Sequence, residues 1–217
     1  MNRKEVHMDN QPTQSKSGLT RRGFLKGVGG GLAGTAVLST AALTAPEEAK
    51  AAAGKVLGPG KVPVALRVNG RPMKVEVEPR VTLLSALRDH LDLTGAKLVC
   101  DRGECGGCTV LLDGRPVYAC MMLAVDAQGR EITTVEGLGK GGQLDPVQAA
   151  FVQHDALMCG CCTPGLVMSV RGLLNRNPNP TMDDVKRACA GNLCRCGTYP
   201  KVFEAALAAA KMQKGGA

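Results

Sequence analysis

Large aromatic side chains are scarce in this chain of 217 residues, which contains no tryptophan, two tyrosines and three phenylalanines. Bulky rings therefore cannot supply most of the buried surface, so small aliphatic side chains must pack closely and additional bonds must stabilise the fold. Nucleic-acid binding is also disfavoured, because it requires aromatic platforms beside a basic stripe and the sequence contains neither. Of the net charge of +8, the first 53 residues contribute +3, through seven Lys or Arg and four Asp or Glu.

Catalytic patterns are missing as well. The sequence contains no nucleophile paired with a base, no phosphate-binding loop and no pair of carboxylates that stands out as a substrate site. The chain itself therefore offers no candidate catalytic residue, and the substrate cannot be read from the sequence.

Cysteine, in contrast, is abundant, and eight of the ten cysteines fall into two patterns. The first pattern has the spacing of plant-type [2Fe–2S] proteins and comprises Cys100, Cys105, Cys108 and Cys120. The second joins a C-x2-C pair to a C-x-C pair and comprises Cys159, Cys162, Cys194 and Cys196. Two sets of four thiolates predict two [2Fe–2S] clusters, which is typical of a protein that transfers electrons.

Glycine distinguishes the first set from a simple zinc site. Three glycines interleave with its cysteines: Gly103, Gly106 and Gly107. They let the backbone turn tightly and direct N–H groups at sulfur, which a tetrahedral zinc site does not need. Zinc remains an alternative, more so for the second set, whose spacing is less diagnostic. Of the two other cysteines, Cys189 is interpreted as a buried hydrophobe, and Cys161 competes with Cys162, which we favour as the ligand because it keeps the x2 spacing.

An export signal is predicted over residues 1–53. Residues 20–26 read TRRGFLK, a twin-arginine motif, and a weakly apolar stretch follows at 27–45. Small residues before Gly54 form the preferred cleavage site. A retained membrane anchor is the alternative, but the glycines and threonines of the stretch make a poor spanning helix, so no stable anchor is expected.

The type of signal bears on the cysteines. The twin-arginine translocase moves folded proteins, so the motif predicts that clusters are inserted before the chain reaches the periplasm. Disulfide bonds are the alternative use of many cysteines in an oxidising compartment. They are disfavoured here, because clusters inserted before export would already occupy the sulfurs.

A small β-grasp domain of ferredoxin type is predicted over residues 62–137, after a linker at 54–61. Apolar residues alternate on both sides of Asn69-Gly70, which is a strong hairpin signal. Thr82 can cap the single helix that follows, and the apolar face of this helix is formed by Leu84, Leu87 and Leu91. The first cysteine loop comes after that helix.

A second hairpin is predicted in the same domain. Strands at 109–112 and 117–121 flank Asp113-Gly114, and a last strand is expected at 132–135.

A helical domain is predicted over residues 144–212, between a glycine-rich linker at 138–143 and a tail at 213–217. Four helices are expected, with starts marked by Asp145-Pro146, Thr163-Pro164, Thr181 with Asp184, and Pro200. The helix that follows Cys162 is expected to favour a thiolate at its N-terminus. The fold class is therefore α+β, a β-grasp plant-type ferredoxin domain followed by an all-α four-helix bundle that binds the second cluster.

Three linked motifs resemble the small iron–sulfur subunit of the molybdenum hydroxylases, the xanthine dehydrogenase and aldehyde oxidoreductase family. They are CDRGECGGC at 100–108, CGCCTPG at 159–165 and GNLCRC at 191–196. The resemblance extends from about Val62 to the last helix. Together with the export motif, it makes the chain look most like the small subunit of exported, periplasmic aldehyde oxidoreductases.

The resemblance implies an electron-transfer role. The first set would hold the cluster distal from molybdenum and the second set the proximal cluster. A separate large subunit would carry the molybdenum–pterin cofactor and oxidise aldehydes or N-heterocycles, and the electrons would pass on to an FAD subunit or a cytochrome. A free-standing two-cluster carrier and a zinc-stapled interaction module are the alternatives.

The sequence departs from the family pattern at three places. Met158 stands where glutamine usually precedes the first proximal cysteine, so a hydrogen bond to the pterin is in doubt. Cys161 replaces an aromatic residue, and Gly197-Thr198 reverses the usual order. None of these changes removes a ligand.

Overall fold

This computed structural model of the protein describes Arg22 and residues 57–215, and the latter range starts with a five-stranded mixed sheet. The strands are β1 (Val62–Val68), β2 (Arg71–Val77), β3 (Thr109–Leu112), β4 (Arg115–Tyr118) and β5 (Glu131–Thr133). Their order is β2-β1-β5-β3-β4, with β1 and β5 parallel and the other pairs antiparallel. The predicted export signal lies outside the described residues, apart from Arg22.

Both predicted hairpins are confirmed. Asn69 and Gly70 connect β1 to β2 with φ angles of 54° and 76°, and Asp113 and Gly114 connect β3 to β4 with φ angles of 49° and 77°. Positive φ at both central residues matches the twist of the flanking strands. The Asn69 side chain also accepts the N–H of Thr134 at 2.9 Å and donates to its hydroxyl at 3.0 Å, which fixes the turn against the chain after β5.

The helix that follows the first hairpin is shorter than the apolar pattern suggests. Thr82 caps it as predicted, by accepting a backbone N–H at 3.2 Å. The helix α1 (Leu83–Ser85) passes directly into a π-helical turn at Ala86–His90. Leu84 and Leu87 are almost fully buried, so the predicted apolar face does form the contact with the core.

The second half of the sheet differs from the sequence prediction in its strand ends. The strand β4 ends at Tyr118, because a 3-10 turn at Ala119–Met121 follows it, and β5 covers Glu131–Thr133 instead of 132–135. The turn carries Cys120, which is only 6% exposed. The end of the strand therefore places this cysteine inside the protein.

Four helices follow the sheet: α2 (Pro146–Gln153), α3 (Thr163–Arg176), α4 (Met182–Cys189) and α5 (Tyr199–Gly215). Capping boxes at Asp145 and Thr181 open α2 and α4 as predicted. The assignment of Thr163 as the cap of α3 is wrong. Cys162 is the cap residue and Thr163 is the first helical residue, so Pro164 occupies the second helical position. Proline is tolerated throughout the first turn, so its presence does not decide which residue is the cap. The last helix continues past residue 212, where the helical domain was expected to end.

Two hydrophobic clusters stabilise an α+β fold. The first packs the sheet against α1, with Leu83, Leu112 and Ile132 among its fully buried members. The second lies among the four later helices and is rich in alanine, including Ala150, Ala205, Ala206, Ala209 and Ala210. Small side chains thus replace aromatic rings as expected. The exact domain boundaries remain a prediction. Within residues 57–215, no helix is both long enough and apolar enough to cross a bilayer.

Candidate iron–sulfur sites

The first cysteine set is partly built into the first hydrophobic cluster. Cys100 and Cys105 lie on the loop between α1 and β3, Cys108 precedes β3, and Cys120 occupies the turn after β4. Cys108 is 3% exposed and Cys120 is 6% exposed, whereas the other two are half-buried. The loop therefore supplies two sulfurs at the rim of a site whose other two sulfurs come from the core.

Glycine is required where this loop passes the second half of the chain. Gly106 has a φ of 68°, and a Cβ atom there would lie 2.5 Å from the Asn192 side-chain nitrogen and 2.5 Å from the Gly191 carbonyl oxygen. A larger residue would be strained by its backbone conformation and would push these groups away. The loop can thus approach its neighbours closely only because this position has no side chain.

The thiols of the first set differ in acidity. The backbone N–H of Arg102 is the main cause that lowers the pKa of Cys100 to about 6. Burial is the main cause that raises the pKa of Cys108 to about 12, and the adjacent Cys120 and Cys105 raise it further. Because each ionised sulfur increases the proton affinity of the next, the four sulfurs need a positive charge among them to be thiolates together.

The second cysteine set lies at the surface, between helices. Cys159 and Cys162 connect α2 to α3, and Cys194 and Cys196 connect α4 to α5. Cys159 and Cys196 are exposed, and the other two are half-buried. The Cys194 sulfur lies 3.1 Å from the hydroxyl of Thr198, within hydrogen-bonding distance.

Acidity also varies within the second set. Burial opposes ionisation of Cys194, but hydrogen bonds from the hydroxyl and N–H of Thr198 outweigh it and lower the pKa of Cys194 to about 7. Burial raises the pKa of Cys162 to about 12, and the neighbouring Cys194 sulfur contributes in the same direction. The expected preference for a Cys162 thiolate at the start of α3 is therefore outweighed by burial and by a like charge.

The structure brings the eight predicted ligands together as two groups. In the first group, the thiols of Cys100 and Cys105 interact, as do those of Cys108 and Cys120. In the second group, Cys159 interacts with Cys196, and Cys162 with Cys194. Each group therefore consists of two thiol pairs.

This pairwise arrangement suits the donor chemistry of a [2Fe–2S] cluster, in which each iron takes two protein thiolates. The residues that are present therefore fit the two-iron cluster predicted from the spacing.

The two remaining cysteines occupy opposite environments. Cys189 is 1% exposed and belongs to the second hydrophobic cluster, as its helical stripe predicts. Cys161 is exposed and lines a cleft of about 370 Å³ beside the second set. Cys105 and Gly107 of the first loop also line this cleft, so the first cysteine loop borders the same space as the second set.

Sequence reasoning did not identify the polar residues that connect the two sites. Asn192 is 2% exposed and its side chain reaches the first cysteine loop, while Ser169, at 4% exposed, donates to Asn192. Tyr199 accepts the N–H of Cys194 at 2.8 Å and donates to the Asn192 carbonyl at 3.1 Å. The only available signal was the position of Asn192 in the GNLCRC motif, two residues before a ligand.

Comparison with known families places both sites in iron–sulfur domains. The family described as a 2Fe-2S iron-sulfur cluster binding domain matches residues 66–134, and the [2Fe-2S] binding domain family matches residues 134–207. The aldehyde oxidoreductase iron-sulfur-binding subunit PaoA of Escherichia coli (strain K12) is 42% identical over 205 residues, with 86% of each chain covered. The nicotine 6-hydroxylase small subunit of Paenarthrobacter nicotinovorans is 48% identical over 147 residues, covering 68% of this chain and 88% of that protein.

Solved structures agree with these sequence matches. A chain of quinoline 2-oxidoreductase from Pseudomonas putida 86 aligns with a TM-score of 0.69 and 42% identity, and covers 72% of this chain and 98% of that one. The aldehyde oxidoreductase from Desulfovibrio gigas aligns with a TM-score of 0.68 and 38% identity, and there 72% of this chain corresponds to 18% of a longer one. The same unit thus occurs both as a separate subunit and as part of a larger protein.

Proposed function

This chain belongs to the iron–sulfur subunits of the molybdenum hydroxylases, the aldehyde oxidoreductase and xanthine dehydrogenase family, and we propose that it serves an exported, aldehyde-oxidising member. It is an electron-transfer subunit with two [2Fe–2S] domains, and the molybdenum–pterin cofactor is carried by a partner subunit. The observation that carries the proposal is the pairing of the eight thiols into two separate groups, each made of two interacting pairs.

The two groups have separate assignments in this proposal. Cys100, Cys105, Cys108 and Cys120 hold the cluster distal from molybdenum, and Cys159, Cys162, Cys194 and Cys196 hold the proximal one. The four helices after the sheet form the bundle around the proximal cluster. Support comes from the contacts of α2 with α5, α3 with α4 and α4 with α5, which bring the two C-terminal cysteine pairs to one end of the helices.

Hydrogen bonds from the chain's own residues stabilise negative charge at each site. A bound [2Fe–2S] cluster accepts and releases single electrons. The N–H of Arg102 and the hydroxyl of Thr198 stabilise negative charge on the sulfurs of Cys100 and Cys194, and such hydrogen bonds raise the reduction potential of a site. The buried flank formed by Cys108 and Cys120 excludes water from the first site.

The large subunit is proposed to cover the second site. Exposed apolar side chains surround it, namely Val99 at 54% exposed, Leu157 at 41%, Met158 at 68% and Leu193 at 58%. A patch of this kind beside polar residues is typical of a protein–protein interface. Burial of the patch would bring the exposed Cys159 and Cys196 close to the partner's cofactor.

Aldehydes are the proposed substrates, because the aldehyde oxidoreductase subunit from Escherichia coli matches 86% of this chain. N-heterocycles are the alternative, since a nicotine 6-hydroxylase and a quinoline 2-oxidoreductase are also similar. The electrons are proposed to leave from the distal site to an FAD subunit or a cytochrome.

Export to the periplasm by the twin-arginine translocase is part of the same proposal. The motif at residues 20–26 supports it. The match with the Escherichia coli subunit also supports export. It covers 86% of this chain, which is more than residues 57–217 alone can account for, so the match includes part of the predicted export signal. No membrane anchor is proposed.

Purification of the tagged full chain from a periplasmic extract under anaerobic conditions tests the proposed function. We expect a brown complex with about four iron atoms per chain, a large subunit identified by mass spectrometry, and faster oxidation of aldehydes than of purines or quinoline. An iron-loaded monomer would support the free-standing carrier instead. A colourless, zinc-loaded protein would overturn the redox role.

A further inference from the structure

The two cysteine loops are hydrogen-bonded to each other through one glycine. Gly106 lies between Cys105 and Cys108 in the first loop, and its carbonyl oxygen accepts the side-chain N–H of Asn192 at 2.9 Å. Asn192 lies two residues before Cys194 in the second loop. The same Gly106 oxygen also accepts the hydroxyl of Thr109 at 2.7 Å. A side chain from one half of the protein thus contacts the backbone of a cysteine loop in the other half.

A backbone hydrogen bond lies beside this contact. The N–H of Leu193 donates to the carbonyl oxygen of Cys105 at 2.9 Å. Leu193 precedes Cys194, and Cys105 belongs to the first set, so the bond joins a residue of one set to the neighbour of a residue in the other. The Tyr118 hydroxyl adds a third contact by donating to the Gly191 carbonyl at 3.0 Å.

The contact is buried and has no spare space. Asn192 and Thr109 are 2% and 1% exposed, and the Ser169 hydroxyl donates to the Asn192 side-chain oxygen at 2.7 Å. A Cβ atom added to Gly165, in the first turn of α3, would collide with the Gly106 carbonyl. Within the described residues, no buried side-chain polar atom is left without a partner. A fully satisfied polar network of this kind holds its members in one arrangement, because breaking it leaves desolvated groups unpaired.

We propose that Asn192 is a positioning residue for electron transfer between the two clusters. Together with Ser169, Gly106 and the Leu193-to-Cys105 hydrogen bond, it forms what we term the inter-loop junction. The junction fixes the separation of the two cysteine sets and keeps a bonded route from Cys105 across one hydrogen bond to Cys194. This inference rests on the ligand sets of the proposed function and adds how the chain couples them.

The test uses the anaerobically purified full-chain complex, fully reduced with dithionite and examined by low-temperature EPR. Two reduced clusters at a fixed short distance interact magnetically and split each other's signals. In Asn192→Ala we expect full iron content and both signals at full intensity, with the splitting reduced, because the Leu193-to-Cys105 and Tyr118-to-Gly191 hydrogen bonds remain. Asn69→Ala is the matched control, because it removes two side-chain hydrogen bonds to Thr134 and touches neither cysteine loop. This control is expected to keep the splitting.

Each outcome decides between specific interpretations. Splitting that is unchanged in Asn192→Ala, with both clusters present, would overturn the positioning role. If Asn192→Ala does not fold, Ser169→Ala is measured instead, because it removes only the donor to the Asn192 oxygen. A reduced splitting there supports the proposal, and an unchanged splitting rejects it. A wild-type protein without iron or EPR signals would reject the proposed function itself, which separates that failure from a failure of the junction.

Discussion

The two cysteine sets each contain four cysteines, but they differ in burial. The first set shares the hydrophobic core of the sheet domain, where Cys108 and Cys120 are almost completely buried. The second set lies where helices begin and end, and two of its members, Cys159 and Cys196, are exposed. Four sulfurs can therefore be grouped in two ways: by a folded core that encloses them, or by helix ends that leave them exposed to solvent on one side.

The difference corresponds to the order of electron flow that we propose. A site that receives electrons from another subunit must allow that subunit to come close, so exposure at the second set is functional. A site enclosed by its own core keeps its environment whatever it contacts, because the surrounding side chains and hydrogen bonds belong to the same chain.

Removal of a ligand should eliminate one centre only. We expect Cys108→Ser to abolish the EPR signal of the first site and Cys162→Ser to abolish that of the second, because each set draws on its own loops. Iron should fall by about half in each variant, as expected for one of two equivalent [2Fe–2S] clusters. Cys161→Phe is the control and should retain both signals. If Cys161→Phe and Cys162→Ser exchange these outcomes, Cys161 is the ligand.

A charge placed beside the exposed set should prevent assembly. In Leu193→Asp we expect the affinity for the large subunit to fall by at least about tenfold, which corresponds to ~1.4 kcal/mol. Leu144→Asp is the matched control, because Leu144 and Leu193 are 57% and 58% exposed. Equal affinity in the two variants, measured by co-purification and by biolayer interferometry, would mean that the apolar patch does not bind the partner.

Loss of one hydrogen bond should shift the potential of the second site alone. Thr198→Val keeps the shape of the side chain but removes the hydroxyl that lies 3.1 Å from the Cys194 sulfur. The reduction potential of the second cluster should become more negative, because the hydroxyl stabilises charge on the sulfur. Potentiometric titration followed by EPR measures both sites, and the potential of the first cluster serves as the internal reference. An unchanged second potential would exclude a role for this hydroxyl.

The two cysteines outside the sets should react at very different rates. Cys161 is exposed, whereas burial raises the pKa of Cys189 to about 11. Brief treatment of the native, cluster-loaded chain with iodoacetamide should therefore modify Cys161 and leave Cys189 intact. Peptide mass spectrometry locates the adduct, and a denatured sample confirms that both peptides are detectable. Modification of Cys189 at the rate of Cys161 would contradict the buried position.

The smallest expected effect concerns acid stability of the helical half. Hydrogen bonds from the hydroxyl and N–H of Thr181, together with Arg187, lower the pKa of Asp184 to about 2. Since the folded pKa lies below the ordinary carboxyl value, the ionised group stabilises the fold above about pH 4. That contribution is lost as the pH falls towards 2.

Asp184→Asn should therefore unfold at a slightly lower temperature than wild type at pH 6, and the difference should shrink below pH 4. Scanning calorimetry of both proteins across this range tests the prediction. Lys186→Gln is the control, because its pair with Asp183 is exposed and 3.9 Å apart. A difference between wild type and Asp184→Asn that does not depend on pH would exclude the carboxylate as its origin.

Local signals in the sequence predicted most of the secondary structure. Asn69-Gly70 and Asp113-Gly114 determine their turns through backbone conformation, and Asp145 and Thr181 cap helices through contacts within three residues. Such signals act over short distances, so they can be read without the fold. The predicted start of α3 is one residue too late, because Pro164 lies in the first turn whether Cys162 or Thr163 is the cap residue.

Long-range contacts could not be predicted in the same way. Asn192 reaches Gly106 across 86 positions of sequence, and its role depends on how the two halves of the chain meet. The π-helical turn at Ala86–His90 had no sequence signal either, and its residues Ala86 and Leu87 are buried in the first hydrophobic cluster. The spacing of cysteines predicts which sulfurs share a site but carries no information about their exposure.

The open face of the second set has a consequence for biogenesis. Iron held by Cys159 and Cys196 on a lone subunit would be accessible to oxygen and to competing metals such as copper. Assembly with the large subunit soon after iron insertion would protect this site. On the export route that we propose, the subunits would therefore associate before translocation, and a large subunit without its own export signal could be transported together with this chain.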